Sequence, residues 1–175
     1  LGRIPRIRPM SRIPIEPDPR ARGFQGGWAS RAMVWSATTR RLLGGPTHGE
    51  RMLSLVAMYM CLWDVDRLLH GMDGSLPGDA EARADFPLDR SRFRKVVERY
   101  QRIRDSVLHL SDRTTDGHGW TWSVTTAEPT GRFTVAVATS DGIQSETVTR
   151  LEMEGLLDQL DPWLRRHWQR YVDEW

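Results

Sequence analysis

The 175-residue chain contains one cysteine, Cys61, so it can form no internal disulfide and no zinc or iron–sulfur site that needs several thiolates. It also lacks a long apolar run. The longest, Met52 to Trp63, is about a dozen residues bounded by Glu50, Arg51 and Asp64. That is short of the roughly 20 residues that cross a bilayer, so it reads as a core helix and not as a membrane span. No stretch has the make-up of a secretory leader, and with a single thiol the expected location is the reducing cytoplasm. There is no internal repeat, low-complexity tract, P-loop or G-x-G-x-x-G, and nothing marks a Ser-His-Asp set. Gly26-Gly27 and Gly44-Gly45 are too short and misplaced to cradle a phosphate.

What is present is a globular composition, with 39% apolar and 27% charged residues and eight tryptophans. The length fits one domain with one sizeable core. The formal charge of +2 comes from Leu1 to Pro9, whose three arginines precede Met10 and which read as a leader or upstream read-through. Without them 22 basic side chains face 23 acidic ones, so net charge is no argument for nucleic acid and any such binding must rest on a local patch.

Hydrophobic periodicity gives an α+β chain, mostly α: a helical bundle with a small antiparallel β meander inserted before the C-terminal helix. Residues 1–27 read as leader and flexible N-terminal arm, because Pro14, Pro17, Pro19, Gly23, Gly26 and Gly27 crowd a stretch with few apolar anchors. Residues 28–175 form the single domain. A first amphipathic helix spans Trp28 to Leu43 and stops at Gly44-Gly45-Pro46. Thr47-His48-Gly49-Glu50 has capping-box spacing and opens a central second helix that runs to about His70, with Gly71 as its C-cap. Met72 to Pro87 is a loop, too polar for core. Asp89 caps a third helix with Phe93, Val96, Val97, Tyr100, Ile103, Val107 and Leu108 on one stripe.

The period then falls to two. Strands around Trp120–Val124, Phe133–Val137 and Ile143–Val148, joined at Glu128–Gly131 and Asp141-Gly142, make the meander at about 119–148. Thr149-Arg150-Leu151-Glu152 repeats the capping-box spacing and starts the last helix, in which Pro162 predicts a kink or two consecutive helices.

The chemistry-bearing string is Arg102-Ile103-Arg104-Asp105-Ser106-Val107-Leu108-His109 on the third helix. Arg104, Asp105 and His109 have the spacing of an R-x4-6-H motif in which a polar residue follows the arginine, and over roughly Trp28 to Asp112 the chain resembles the HEPN superfamily of small helical domains. The meander is a departure from a plain bundle. The resemblance implies a metal-independent endoribonuclease of toxin or defence type, active as a homodimer on RNA and restrained by an inhibitory protein partner. Arg104 would grip the phosphate, His109 would move the proton and Asp105 would orient them, with Arg102 assigned to substrate binding. No cofactor or metal is called for. At 100° per residue His109 lies about 140° from Arg104, so one ideal helix cannot aim both at one phosphate; the pairing of HEPN domains implies a cleft lined by two copies of the motif.

Other readings of the same residues stand beside this one. Arg41 with His48, Arg102 with His109 and Arg113 with His118 also fit the loose spacing. Arg104 can instead pair with Asp64 or Asp66, leaving a non-catalytic helical dimer or interaction module. A small-ligand sensor with a pocket between meander and helices is a third possibility. Asp66 and His70 read as an ordinary i,i+4 pair and not a metal site, and Cys61 as core. Trp120 and Trp122 read as strand packing, Trp163, Trp168 and Trp175 as bundle or interface anchors, and Arg165, Arg166 and Arg170 as a solvated basic face.

Overall fold

The computed structural model describes residues 19–74, 76–108, 122–127, 131–139 and 142–172. Within them the order is α1 (Pro19–Leu43), α2 (His48–Gly71), α3 (Asp79–Ala84), α4 (Arg90–Leu108), β1 (Trp122–Ala127), β2 (Arg132–Thr139), β3 (Gly142–Thr149) and α5 (Arg150–Val172). The fold is α+β and mostly helical, with the antiparallel sheet ahead of the last helix. No described helix is long and apolar enough to cross a membrane.

Local sequence signals set several boundaries. Thr47 Oγ1 accepts the Glu50 N–H at 3.2 Å while Glu50 Oε2 accepts the Thr47 N–H at 3.1 Å, closing both halves of the capping box. Asp89 Oδ1 accepts the Arg92 N–H at 2.8 Å at the head of α4, and Thr149 Oγ1 accepts the Glu152 N–H at 3.1 Å at the head of α5. The sheet order is β1-β2-β3, with Val124 opposite Val135 and Phe133 opposite Val148. Phe133 and Val148 are buried, so this pair seats the sheet on the helical core.

That core centres on α2, which packs against α1 on one side and α4 on another, while α1 also runs along α5. Leu55, Met58, Leu62, Leu68 and Leu69 of α2 meet Phe93, Tyr100 and Ile103 of α4 and Met153, Leu157 and Leu160 of α5 in one buried cluster. Polar ties cross the helices. Asp64, fully buried, is held by Arg31 through Nε at 3.2 Å and through Nη2. Asp161 accepts from Ser36 at 2.5 Å and from Arg40 at 2.9 Å.

Four expectations are corrected. Residues 19–27, assigned to a flexible arm, are the first turns of α1. Tertiary contacts override the weak helix propensity there: Gln25 is buried, donates to the Gly71 carbonyl at 2.6 Å and accepts from the Tyr171 hydroxyl at 2.5 Å. Glycine at 71 lets α1 come close, since a Cβ there would lie 2.6 Å from the Trp28 ring. Gly71 is accordingly the last residue of α2, and Met72 is its C-cap, donating to the Leu68 carbonyl at 3.0 Å.

The expected loop 72–87 contains α3, and Leu76, Ala82 and Phe86 within it are core. Phe86 meets Phe93 and Trp163 edge-on, with centroids 5.1 and 5.0 Å away. Finally, Arg150–Val172 is one helix with Pro162 inside it, and not two consecutive helices. Pro162 is exposed, so water can solvate the carbonyl that loses its donor. Leu1 to Asp18, Trp120 and Trp175, for which the sequence carries expectations, lie outside the described residues.

Candidate functional site

A helix repeats its surface every three to four residues, and α2 uses that period to place Val56, Tyr59, Met60 and Trp63 along its boundary with α4. Gln101 and Arg104, three apart on α4, face them across an open groove of about 360 Å³. Tyr59 is buried in the floor. Arg104 Cζ stands 4.6 Å above its ring centroid, and Nη2 donates to the Tyr59 hydroxyl at a long 3.4 Å. Arg67 Cζ stands likewise 4.5 Å over Trp63, whose ring is tilted by 34° against Tyr59 at 6.0 Å.

The Arg104 side chain is 24% exposed, and its Nε lies 3.2 Å from Asp105 Oδ1. That contact is Coulombic only, because among the described residues the buried Nε finds no hydrogen-bond acceptor. Arg104 and Asp105, neighbours in the chain, are thus in contact through their side chains. His109 lies outside the described residues. Arg102 does not line the groove: its Nη2 donates to Glu146 of β3 at 2.8 Å, on the sheet side of α4. Glu146 is shared with Arg99, which also donates to Glu152 at 2.6 Å and to the Thr147 carbonyl.

The acids proposed as structural partners of Arg104 are engaged elsewhere. Asp64 belongs to Arg31. Asp66 Oδ2 is 3.4 Å from His70 Nδ1, the i,i+4 pair read from the sequence. Among the described residues no three His, Cys, Asp or Glu side chains gather to hold a metal ion.

Two buried groups with reactive chemistry are inert as nucleophiles. Burial, reinforced by Asp161 and Asp64, pushes the Cys61 thiol far above its ordinary value. Burial followed by the charge of Glu152 does the same to the Tyr100 phenol. Both are core side chains.

Tyr59, Trp63, Arg67 and Gln101 were not singled out by the sequence reading as site residues. The four-residue spacing of Tyr59, Trp63 and Arg67 was the available signal, but the apolar character of α2 hid it. A second unread constellation joins α3 to α5. Asp85 accepts from Trp163 Nε1 and His167 Nε2, both at 3.1 Å, and from Arg166. No family model matches this chain, and neither a curated protein nor a solved structure matches it.

Proposed function

We propose that this chain is a HEPN-like, metal-independent endoribonuclease of toxin or defence type, cytoplasmic, acting as a homodimer and restrained by a protein partner. One observation supports this reading above the others. Arg104 stands at a groove with, among the described residues, only its chain neighbour Asp105 as carboxylate contact, whereas Arg31, Arg40, Arg99, Arg102 and Arg166 are each bridged to an acid on another element.

A guanidinium placed so can grip a phosphate by charge-assisted hydrogen bonds. In this reading His109 exchanges a proton with the 2′-hydroxyl or the leaving oxygen. Asp105 is a positioning residue for Arg104. The 140° offset between positions 104 and 109 on one helix is met by a second copy.

The test is cleavage of an RNA panel by purified protein with and without EDTA, beside Arg104→Ala and His109→Ala checked for unchanged circular dichroism. EDTA-resistant cutting lost in both variants is the expected result. An intact panel, or variants that cut like wild type, sinks the nuclease.

A second reading, the non-catalytic interaction module, draws on a different observation. Leu53 is 53% exposed and continues with Val56, Met60 and Trp63 as an apolar stripe on α2. With no cleavage, and with Leu53→Glu changing the oligomeric state, this reading replaces the first.

A further inference from the structure

The composition of the groove carries more than a phosphate grip. Its floor is apolar and aromatic (Val56, Tyr59, Met60, Trp63), its α4 wall is an amide and a guanidinium (Gln101, Arg104), and no carboxylate is among these lining residues. Arg67 adds a second cation over Trp63. An apolar side chain from a protein partner would leave both cations and the amide without use. A phosphate alone would leave the aromatic floor without use.

A nucleotide uses all of them. Its base has apolar faces for Trp63 and the Val56–Met60 floor, and a rim of donors and acceptors that an amide such as Gln101 can meet in either orientation. Guanidinium planes also stack on bases while their edges remain donors to phosphate. The volume of about 360 Å³ lies within the range of small-ligand sites. A base inside a duplex cannot present its faces without leaving the stack.

We infer that the groove between α2 and α4 receives one unpaired nucleobase of single-stranded RNA, with Trp63, Val56 and Met60 against the ring, Gln101 at its edge, and Arg104 and Arg67 toward the flanking phosphates. This rests on the nuclease reading for the choice of RNA as ligand. It adds that recognition is base-dependent and strand-selective, which an arginine–histidine pair alone would not produce.

The experiment measures binding apart from cutting. Fluorescein-labelled 12-nucleotide RNA whose 2′-oxygens are methylated, so that it cannot be cut through the 2′-hydroxyl, is titrated with the full chain by anisotropy in three forms: single-stranded, annealed to its complement, and carrying abasic sites throughout. Binding is followed in EDTA at 50 and 200 mM salt for wild type, Trp63→Leu and Gln101→Glu, with circular dichroism and gel filtration on each protein. The single strand should bind about five- to hundredfold more tightly than the abasic strand, the span expected of one stacked base, and more tightly than the duplex.

Trp63→Leu should remove most of that difference and leave the salt dependence unchanged. Gln101→Glu, at an exposed position that cannot disturb the core, should weaken the single strand at least fivefold. Equal binding of all three RNAs, an absence of RNA binding, or a Trp63→Leu variant that changes oligomeric state and not affinity each overturns the base site. Base-dependent binding without cleavage keeps the site and removes the nuclease; cleavage with base-independent binding does the reverse.

Discussion

The Arg104 guanidinium carbon stands 4.6 Å over the ring of Tyr59, a residue 45 positions earlier in the chain, with the two side chains closing the boundary between α2 and α4. The ring removes much of the water from the cation yet leaves its donors at the edge of a groove. Arg104→Ala should cost about 0.5–2 kcal/mol of stability, the range for a cation over an aromatic face. Tyr59→Phe keeps the face and loses only the 3.4 Å contact, so it should stay within about 0.5 kcal/mol of wild type. Urea unfolding of both variants checks the order; a larger loss in Tyr59→Phe would mean that the hydroxyl, and not the ring, holds Arg104.

Arg104→Lys separates charge from shape. Lysine keeps the cation but cannot spread a planar fork over Tyr59. Any RNA cleavage by the wild type should fall at least tenfold in this variant, with thermal unfolding nearly unchanged, and a kinetic assay at matched fold content reads it directly. Activity equal to wild type would reduce the role of Arg104 to a point charge.

Local physics made part of this legible in the sequence. The Thr47–Glu50 box and the Asp89 cap fixed the starts of α2 and α4, because a cap is satisfied within one turn. The stripe of Phe93, Val97, Tyr100 and Ile103 gave the buried face of α4. The first turns of α1 and all of α3 were hidden because their support is non-local: Gln25 reaches Gly71 and Tyr171, and the Ala82 carbonyl accepts from Trp163 Nε1 at 3.0 Å. The groove was hidden for the same reason, since Tyr59 and Arg104 meet only when two helices pack. Arg104 with Asp105 was legible, being neighbours in the chain.

Gly71 and Gly155 should respond oppositely to the same added methyl. A Cβ at Gly71 would sit 2.6 Å from the Trp28 ring, whereas one at Gly155, inside α5, meets nothing within 4 Å. Gly71→Ala should destabilise by about 1–3 kcal/mol through overpacking, and Gly155→Ala should stabilise by about 0.5–1 kcal/mol through helix propensity. Thermal melts of the pair give the two signs. A neutral Gly71→Ala would mean that α1 and α2 can separate freely at their crossing.

The Arg31–Asp64 pair sets a buried acid against a cation that is largely in water: the two side chains are 0% and 60% exposed, respectively for Asp64 and Arg31. Arg31→Met leaves the carboxylate buried without its main donor, and a loss of about 1–3 kcal/mol is expected. Adding Asp64→Leu should recover most of it, because the desolvated charge is then gone. A double variant as unstable as the single one would show that packing, not the orphaned charge, sets the cost.

Asp85, together with the Ala82 carbonyl, fastens the α3 segment to α5. Asp85→Ala leaves the Trp163 indole only the Ala82 carbonyl and removes the acid that faces Arg166 and buried His167. The expected loss is about 1–3 kcal/mol, accompanied by faster amide exchange confined to residues 76–86. Exchange that rises uniformly through all helices would instead make this contact part of the global core.

Glu50 gives the fold a defined acid response. Its carboxylate is held below the ordinary value of 4.5 by hydrogen bonds from the Thr47 hydroxyl and the Thr47 backbone N–H. A carboxyl whose folded value is depressed binds protons more readily when unfolded. Its contribution is therefore complete above the unfolded value and is lost as pH falls through the folded one. Asp89, held down by Ser91 and by the Arg92 N–H, adds in the same direction at α4. Glu50→Gln should then be less stable than wild type at pH 7, and the gap should narrow as pH drops below about 4. Urea midpoints of both proteins from pH 7 to 3 measure it. A gap independent of pH would assign the effect to side-chain geometry and leave the charge of the capping box without a role.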